Sequence, residues 1–516
     1  MTFVVKVLNF FATENTLKDK LEQLKTLLGE VTDLNQISGL LGWDQQTYMP
    51  SGAAELRGQQ LATIGAIAHK KFTSAEVGRL LDDLKTWAAG LDPDSDEYRL
   101  ISVTARDYDK GTRIPSDYVA EFAQVTAVAQ QVWMEAREKS DFSIFRPHLE
   151  KIVELNHRYI AFFPPAEHPY DVLLDNFEPG MKTSEVKAIF EGLRPQQVEL
   201  IQAIAARPQV DDSFLRLDFD EQKQWDFGVE VATAFGFDWK RGRQDKSTHP
   251  FTQSSGIDDV RITTRFEQGL GASGFFSTTH ETGHGLYEQG ISHTWSRTPL
   301  EGGASLAVHE SQSRMWENLV GRSLPFWEHF YPRFQGMFPA QLGNVSLETF
   351  YKGINKVERS LIRVEADEAT YNLHIMLRLE LEIAMIEGEI AVKDLPEAWN
   401  ARMKDYLGIA PPNDALGVLQ DIHWSGGMFG YFSTYALGNL ISVQLWEAFR
   451  AANPALDDQI RRGDFSSLLS WLRTQIHQHG RKYEPQELVR RVTGSPIDPT
   501  PYVRYLKSKY TEIYGL

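Results

Sequence analysis

Two histidines and a glutamate in the segment His280-Glu281-Thr282-Gly283-His284 have the spacing of a catalytic metal site. Residues four apart on a helix lie on one face, so the imidazoles of His280 and His284 can reach a single metal ion. Glu281 then lies beside that ion, where its carboxylate can take a proton from an attacking water. The pattern H-E-x-x-H is typical of zinc peptidases. The alternative is an exposed helix that carries these residues by chance.

The residues around this motif predict the helix that such spacing requires. The hydroxyl residues 277–279 can cap its beginning, and Gly290 favours its end. Two glycines inside it, Gly283 and Gly285, each cost a helix about 1 kcal/mol relative to alanine. Such a cost indicates a close approach by another backbone or by a substrate chain, with ordinary tight packing as the alternative.

A catalytic zinc site usually has three protein ligands, so two histidines leave it incomplete. A third histidine six residues further on is excluded, because Gly290 stands at that position and Tyr287 replaces the glycine expected before it. Since the chain has no cysteine, a carboxylate from the residues that follow is the remaining ligand type. The candidates are Glu288, Glu301, Glu310 and Glu317.

Glu310 is the candidate that we favour among these glutamates. It lies in a predicted helix over 307–320, after a connection long enough for that helix to fold back on the first. Glu288 lies on the same helix as the histidines and is poorly placed to close the coordination sphere, and Glu301 lies in a glycine-rich turn. The alternative for Glu310 is a solvated ion pair with Arg314, four residues later.

Composition limits the class of protein. The 516 residues are 42% apolar and 24% charged, as in an ordinary soluble globular protein, and can bury a large core. A net charge of −17 argues against nucleic acid as the main partner. The absence of cysteine excludes a disulfide framework and a cysteine nucleophile, and it fits a cytoplasmic protein.

Neither a membrane span nor a signal peptide is predicted. No run of 18 apolar residues occurs in the chain. The apolar start, residues 1–11, has no basic region ahead of it and is interrupted by Lys6. We predict a strand-like or irregular segment there.

Most of the chain predicts helix. Apolar spacing and proline positions predict early helices over 17–41, 52–69, 74–89, 118–139 and 145–163. A loop-rich stretch over 168–181 follows, and helices continue from residue 184. Residues 258–266 alternate and are rich in β-branched side chains, which predicts a short strand before the helix of the metal site. No linker marks a boundary between domains.

Several further segments contain residue types that could do chemistry, and they follow one another in a particular order. The segments are Trp43-Asp44-Gln45 with Met49-Pro50, Tyr170-Asp171, Glu178-Pro179-Gly180, His249-Pro250-Phe251, Gly256-Ile257-Asp258-Asp259-Val260-Arg261-Ile262-Thr263, His309-Glu310-Ser311-Gln312-Ser313-Arg314, Ile362-Arg363-Val364-Glu365-Ala366-Asp367 and Gly430-Tyr431-Phe432-Ser433-Thr434-Tyr435-Ala436-Leu437-Gly438-Asn439. Together with H-E-x-x-H, this set resembles the carboxypeptidase Taq family of zinc metallocarboxypeptidases, also called thermostable carboxypeptidase 1. The resemblance extends from about residue 15 to the end of the chain.

The resemblance implies a fold and a cofactor. The family fold is mainly α, a large saddle-shaped helical metallopeptidase with a deep central groove and a short β segment near the zinc site. We therefore expect a single domain over 1–516, with the helical region 1–165 in the groove wall and the catalytic motifs within 249–439. Zinc is the expected metal, although cobalt suits the same ligands, and Glu310 is the expected third ligand. A homodimer is also expected.

The resemblance also implies an activity. Members of the family release C-terminal residues from peptides with broad specificity, so the expected partner is a peptide with a free C-terminus. Glu281 is then the general base of a metallocarboxypeptidase. A zinc oligo-endopeptidase on the same scaffold is one alternative, and it would not need to bind a terminal carboxylate. A non-catalytic peptide-binding protein is another, and the presence of Glu281 beside both histidines argues against it.

Two arginines are candidates for binding the substrate. A carboxypeptidase must bind a terminal carboxylate, and the planar guanidinium of arginine does so through bidentate hydrogen bonds. Arg363 and Arg261 lie in segments that resemble the family's motifs. The alternative for Arg363 is a helical ion pair with Asp367. For Arg261 the alternative is an ion pair with Asp258 or Asp259.

Three further residues are candidates for stabilising the oxyanion. Tyr431 and Tyr435 are one turn apart on a predicted helix, so either phenol can lie against the developing charge. The alternative is two packed aromatic rings with satisfied hydroxyls. His249 is a candidate donor, although a lone histidine before proline is more often structural. In many related peptidases an aspartate orients a zinc histidine, but Arg314 stands at that position, so the group that orients the histidines is open.

Overall fold

The computed structural model describes residues 2–267 and 269–516, with no side-chain description for residues 2–15. The elements of the first half are α1 (Thr2–Thr47), α2 (Ala54–Phe72), α3 (Ala75–Ala88), α4 (Asp96–Arg113), α5 (Ser116–Lys139), α6 (Phe142–Ala161), α7 (Pro169–Leu174), α8 (Thr183–Ala205), α9 (Glu221–Phe235), β1 (Gly242–Lys246), β2 (Thr252–Ser254) and β3 (Val260–Thr264). The second half contains α10 (Ser273–Gly290), α11 (Leu306–Arg314), α12 (Leu324–Met337), α13 (Pro339–Leu342), α14 (Leu347–Ile354), α15 (Tyr371–Glu387), α16 (Leu395–Leu407), α17 (Ser433–Ala452), α18 (Leu456–Arg461), α19 (Ser466–Gln475), α20 (Pro485–Thr493) and α21 (Thr500–Tyr514).

The predicted fold class, mainly α with a short β segment, is confirmed by this order of elements. The predicted strand over 258–266 appears as β3. The strand-like start predicted over 1–11 is wrong, because α1 begins at Thr2 and residue 1 lies outside the described part of the chain. The predicted loop over 168–181 contains the short helix α7. The predicted helix over 307–320 is α11 followed by a π-helical turn, Met315–Val320.

A small sheet of three strands lies beside α10. The strand order is β1-β3-β2, with β3 parallel to β1 and antiparallel to β2. Val260 and Ile262 of β3 are fully buried, and Ile262 contacts α10 at Gly285. The sequence indicated only β3, because β1 is short and polar and β2 has three residues.

The described helices enclose two hydrophobic cores. The larger core gathers buried side chains from α5 through α21. The smaller core joins α1, α3 and α4 to the residues after α10 through Trp295 and Leu300. The single domain over 1–516, with 1–165 in a groove wall, stays a prediction. Within the described residues, no helix is both long and apolar enough to cross a bilayer.

Two glycines allow neighbouring helices to approach α11 closely. A Cβ atom added at Gly283 of α10 would lie 2.6 Å from Cα of Ser313 and 2.7 Å from the carbonyl oxygen of Gln312. A Cβ atom added at Gly438 of α17 would lie 2.7 Å from Cβ of Glu310. Close approach by another backbone therefore explains Gly283, and it brings α11 directly against the helix of the two histidines.

Candidate metal centre and active site

Three side chains from α10 and α11 converge on one point. His280, His284 and Glu310 each offer one ligand atom, and these atoms all lie within 4.8 Å of one another. Nε2 of His280 and Nε2 of His284 lie 3.7 and 3.5 Å from Oε2 of Glu310. Ligand atoms about 2.0–2.2 Å from a tetrahedral zinc are about 3.3–3.6 Å apart, so these donors fit such an ion.

A carboxylate orients His280. Nδ1–H of His280 donates to Oε2 of Glu317 over 2.9 Å, which leaves Nε2 free for a metal. Glu317 also accepts a hydrogen bond of 3.2 Å from Arg314. Burial favours the protonated form of Glu317, but Arg314 and His280 outweigh it and hold the pKa of Glu317 at about 2. The sequence left open which group orients His280. In the structure this group is Glu317.

A third histidine orients His284. The Nδ1 atoms of His284 and His309 are 2.6 Å apart, and Nε2 of His309 lies 2.7 Å from Oε1 of Glu288. Both contacts are hydrogen bonds when His309 donates to the carboxylate and accepts from His284. Burial lowers the pKa of His284 to about 3, so its imidazole is neutral, as a metal ligand must be.

The two oxygens of Glu310 have different partners. Oε1 accepts a hydrogen bond of 2.7 Å from Nε of Arg314, whereas Oε2 faces the two histidines. The ion pair with Arg314 is thus present, but it is buried rather than solvated, since Glu310 is only 5% exposed. Burial opposes ionisation, yet Arg314 and His280 hold the pKa of Glu310 well below its usual value. The ion pair leaves one oxygen for a metal.

Replacing Glu317 with glutamine is expected to weaken metal binding by about 10- to 100-fold, because His280 loses the carboxylate that fixes its ring and raises its basicity. The three ligand side chains remain, so the helical content is expected to persist. Metal affinity is measured by competition with a chelator of known strength. The matched control is Glu348→Gln on the exposed face of α14. Equal affinity in the two variants would contradict the orienting role of Glu317.

A buried glutamate from the loop after α7 holds the beginning of α11. Oε1 of Glu178 accepts a hydrogen bond of 2.6 Å from the backbone N–H of Ala307. Burial raises the pKa of Glu178 to about 8. The segment that contains Glu178 therefore positions the helix that presents Glu310 to the histidines.

Glu281 lies on α10 next to His280 and is buried. Oε2 of Glu281 accepts a hydrogen bond of 2.7 Å from the hydroxyl of Thr252, at the start of β2. Burial raises the pKa of Glu281 above its usual value. Thr252 could not be selected from the sequence, because it lies 29 positions from Glu281 and no local pattern connects it to α10. His249 lies exposed just before β2.

Tyr431 lies two residues before the beginning of α17 and Tyr435 lies in its first turn, with ring centroids 5.2 Å apart. Tyr435 is one turn before Gly438, where α17 touches Glu310. Burial raises the pKa of both phenols, so both hydroxyls stay protonated. The ring of His423, which the sequence did not single out, lies 5.2 Å from that of Tyr431. Burial lowers the pKa of His423 to about 3, so this imidazole is neutral.

A second buried carboxylate holds the segment that leads into Tyr431. Glu382 accepts hydrogen bonds from the hydroxyl of Tyr170 (2.5 Å), the indole of Trp424 (2.7 Å) and the backbone N–H of Gly430 (2.9 Å). Burial raises the pKa of Glu382 to about 7. Three distant parts of the chain meet at this side chain, which explains why no local pattern indicated it.

Arg363 is buried in a cluster of charged side chains. Its Nε and a terminal nitrogen donate to Oδ1 of Asp421 over 3.0 and 2.8 Å, and the other terminal nitrogen donates to Tyr371 over 2.9 Å. Arg378 donates to the other oxygen of Asp421 over 2.6 Å. The helical ion pair with Asp367 does not form, because Arg363–Glu365 is a single 3₁₀ turn. Two guanidinium groups therefore share one carboxylate.

Arg261 lies on β3, where it makes the ion pair expected as an alternative. Its Nε and a terminal nitrogen donate to the two oxygens of Asp259 over 2.7 and 2.8 Å. The guanidinium also lies over the ring of Trp43 in α1, 4.3 Å from the ring centroid. Arg261 thus connects the sheet to the first helix.

The chain is similar to known proteins over nearly its whole length. The model of the family described as Carboxypeptidase Taq (M32) metallopeptidase matches residues 23–510. The chain belongs to the M32 family. It is 41% identical over 496 residues to thermostable carboxypeptidase 1 of Thermus thermophilus, which covers 94% of this chain and 97% of that protein. Carboxypeptidase 1 of Bacillus subtilis is 36% identical over 491 residues, which covers 95% of this chain and 98% of that protein.

Solved structures of M32 proteins share the fold. The M32 carboxypeptidase from Deinococcus radiodurans R1 has a TM-score of 0.93 at 42% identity, covering 96% of this chain and 100% of that chain. A carboxypeptidase from Pyrococcus furiosus has a TM-score of 0.92 at 35% identity, covering 95% and 99%. The predicted family and the prediction of an enzyme are confirmed. The protein is an M32 metallocarboxypeptidase that acts on peptides.

Proposed function

We propose that this M32 metallocarboxypeptidase uses zinc to release C-terminal residues from peptides with broad specificity. The observation that carries the proposal is the convergence of His280, His284 and Glu310 beside the buried carboxylate of Glu281. Two imidazoles and a carboxylate suit zinc, and cobalt suits the same donors. Hydrolysis of a blocked dipeptide with a free C-terminus, with and without a chelator, tests the proposal.

The residues around the metal site have separate tasks in the proposed mechanism. A metal ion, when bound, lowers the pKa of water and polarises the scissile carbonyl. Glu281 takes the proton of the attacking water and delivers it to the leaving amine. The hydrogen bond of 2.7 Å from Thr252 holds this carboxylate in place, and its raised pKa makes it a better base. Tyr431, Tyr435 or His249 donates to the oxyanion.

We propose Arg363 as the residue that binds the terminal carboxylate, with Arg261 as the alternative. The cluster of Arg363, Arg378 and Asp421 contains two cations and one anion, so it has a net positive charge that an anionic chain end can balance. The guanidinium of Arg363 lies 5.0 Å from the ring centroid of Tyr435. Arg261, in contrast, is paired one to one with an aspartate.

Arg363→Ala is expected to lower kcat/KM on a free-acid peptide by about 10- to 100-fold, because a charged bidentate contact is worth about 1.5–3 kcal/mol. The value for the corresponding C-terminal amide is expected to change little. Asp421 keeps Arg378 as a partner in this variant, so no buried carboxylate is left unpaired. Both rates and the metal content are measured on the same preparation.

The matched variant is Arg261→Ala, assayed on the same acid and amide. A penalty as large on the amide as on the acid would show that the arginine concerned does not bind the carboxylate. Equal, internal cleavage of both peptides by the wild type would favour the oligo-endopeptidase alternative. Membership in a family of metallocarboxypeptidases argues against the non-catalytic alternative.

Two broader features stay predictions. The cytoplasmic location rests on the absence of cysteine from the sequence. The homodimer rests on the family resemblance alone. The net charge of −17 continues to argue against nucleic acid as a partner.

A further inference from the structure

One arginine contacts two of the carboxylates around the metal site. Nε of Arg314 donates to Oε1 of Glu310 over 2.7 Å, and a terminal nitrogen of Arg314 donates to Oε2 of Glu317 over 3.2 Å. Glu310 is the third member of the converging group, and Glu317 orients His280. Arg314 therefore contacts both a candidate metal ligand and the group that orients another candidate ligand.

The backbone places Arg314 between these two glutamates. Glu310 precedes it by four residues in α11, with the glutamate on the N-terminal side, which is the favourable order for a helical ion pair. Glu317 follows it in the π-helical turn Met315–Val320. The guanidinium lies over the ring of Tyr371, 4.5 Å from the ring centroid. Because the donors of a guanidinium lie in one rigid plane, this stacking also fixes the directions of its hydrogen bonds.

The three charged side chains are largely shielded from water. The exposed fractions of the side chains are 7% for Glu310, 11% for Glu317 and 15% for Arg314. A buried carboxylate oxygen needs a hydrogen-bond donor or a metal ion, because leaving a buried charged group without a partner is costly. Oε1 of Glu310 has a donor in Arg314, so it does not need a metal ion.

The other oxygen of Glu310 faces the histidines. Oε2 lies 3.7 Å from Nε2 of His280 and 3.5 Å from Nε2 of His284. The hydroxyl of Ser313 lies 3.2 Å from the same oxygen, but it has a single hydrogen and a closer acceptor, the backbone carbonyl of Glu310 at 2.7 Å. Glu310 thus offers one oxygen to the metal site, although a carboxylate has two.

The number of oxygens that Glu310 offers affects which metal ions the site suits. A carboxylate can bind an ion through one oxygen or through both. Zinc prefers four ligands, so two imidazoles and one oxygen leave a position for water. Manganese prefers oxygen ligands in an octahedral arrangement, so it gains more than zinc from a second carboxylate oxygen. A group that keeps this oxygen occupied therefore favours zinc over manganese.

We propose that Arg314 is a positioning residue that keeps Glu310 a one-oxygen ligand and thereby favours metal ions with four ligands over ions with six. The inference rests on the proposed function, because it takes zinc or cobalt to be the metal of this site. When the guanidinium is removed, both oxygens of Glu310 become available to one ion. The number of ligands around the ion then rises, and the preference for zinc falls.

The test loads cobalt(II) into metal-free, full-length wild type and Arg314→Met. Cobalt(II) with four ligands absorbs visible light more strongly than cobalt(II) with five or six, so the absorption per bound ion is expected to fall by about twofold or more in the variant. Competition with a chelator of known strength gives the affinities for zinc and manganese. The preference for zinc over manganese is expected to fall by about tenfold. Circular dichroism of the loaded proteins verifies the fold.

Two further variants separate the contact with Glu310 from the loss of a buried cation. Arg322→Met is the matched control, because Arg322 lies 3.5 Å from Glu317 but donates to Asn318 and to a backbone carbonyl rather than to Glu310. It is expected to keep the wild-type absorption and preference. Arg314→Lys keeps the charge and a donor for Oε1 of Glu310, so it is also expected to keep both.

Wild-type absorption together with a wild-type preference for zinc in Arg314→Met would overturn the inference, and so would an equal change in Arg322→Met. A crystal structure of the zinc-loaded wild type tests the same point without a variant. Two oxygens of Glu310 at equal distances from the ion would contradict the role of Arg314. If the wild type bound neither zinc nor cobalt, the proposed function itself would be wrong. Binding of both ions with no effect of Arg314→Met would refute only the further inference.

Discussion

Glu281→Gln is expected to lower kcat by about 10³- to 10⁴-fold, because the enzyme loses both the acceptor for the proton of water and the donor for the leaving amine. Metal content and fold are expected to persist, since Glu281 is separate from the three converging ligand side chains. Burial already raises the pKa of this carboxyl, so a neutral side chain of the same shape suits the site. Its carbonyl oxygen can still accept the hydrogen bond of Thr252. Steady-state rates and metal analysis on one preparation measure the effect.

Thr252→Val provides a graded comparison for this prediction. It removes the hydrogen bond of 2.7 Å to Glu281 but leaves the carboxylate, so a loss of only about tenfold is expected. A kcat near that of the wild type in Glu281→Gln would exclude the general-base role. A loss of metal in parallel with activity would mean that Glu281 acts on metal binding instead.

The metal site could be predicted from the sequence because helix geometry is a short-range property. A separation of four residues places His280 and His284 on one face of α10 in any surrounding fold. Glu310 required a further assumption, that the next helix folds back. Gly283 supplies the physical reason, because its missing Cβ lets α11 approach to within contact of the α10 backbone. The sequence could not show that one oxygen of Glu310 accepts a hydrogen bond from Arg314 while the other faces the two histidines.

The groups that orient the ligands could not be predicted, because they depend on packing between distant segments. Glu317 is 37 positions from His280 and reaches it from the π-helical turn Met315–Val320, where ordinary helical spacing does not hold. Helical spacing indicated Asp367 as the alternative partner of Arg363, but the carboxylate that Arg363 contacts is that of Asp421, 58 positions away. Periodicity in a sequence reports which face of an element is buried, not which element covers it.

Most early helices were predicted with nearly correct ends, but not all of them. Four of the five predicted helices differ by at most three residues at either end from α2, α3, α5 and α6, whereas α1 begins at Thr2, 15 residues before the predicted start. Helix α4, Asp96–Arg113, was not predicted, although it buries Leu100 and Ile101. Strands β1 and β2 were missed, since a strand of three to five polar residues carries no alternation. That gap matters for function, because β2 is the element that brings Thr252 to the proposed general base.

Glu310→Gln is expected to weaken metal binding by more than about 100-fold, beyond the loss of about 10- to 100-fold expected for a residue that only orients a ligand. Glutamine offers a neutral amide oxygen in place of the carboxylate, and it leaves Arg314 with Glu317 as its remaining carboxylate partner. Peptidase activity is expected to fall with the metal content. Metal analysis after gel filtration and competition with a chelator measure the change.

The matched control for this prediction is Glu301→Gln. Glu301 was a candidate ligand in the sequence, but it accepts hydrogen bonds from Gln36 at 3.1 Å and from the backbone N–H of Ile257 at 3.2 Å. Its variant is therefore expected to keep its metal. If Glu310→Gln and Glu301→Gln both retain full metal occupancy, the carboxylate of Glu310 is not a metal ligand and only forms the ion pair with Arg314. The third ligand would then have to come from outside the group of His280, His284 and Glu310.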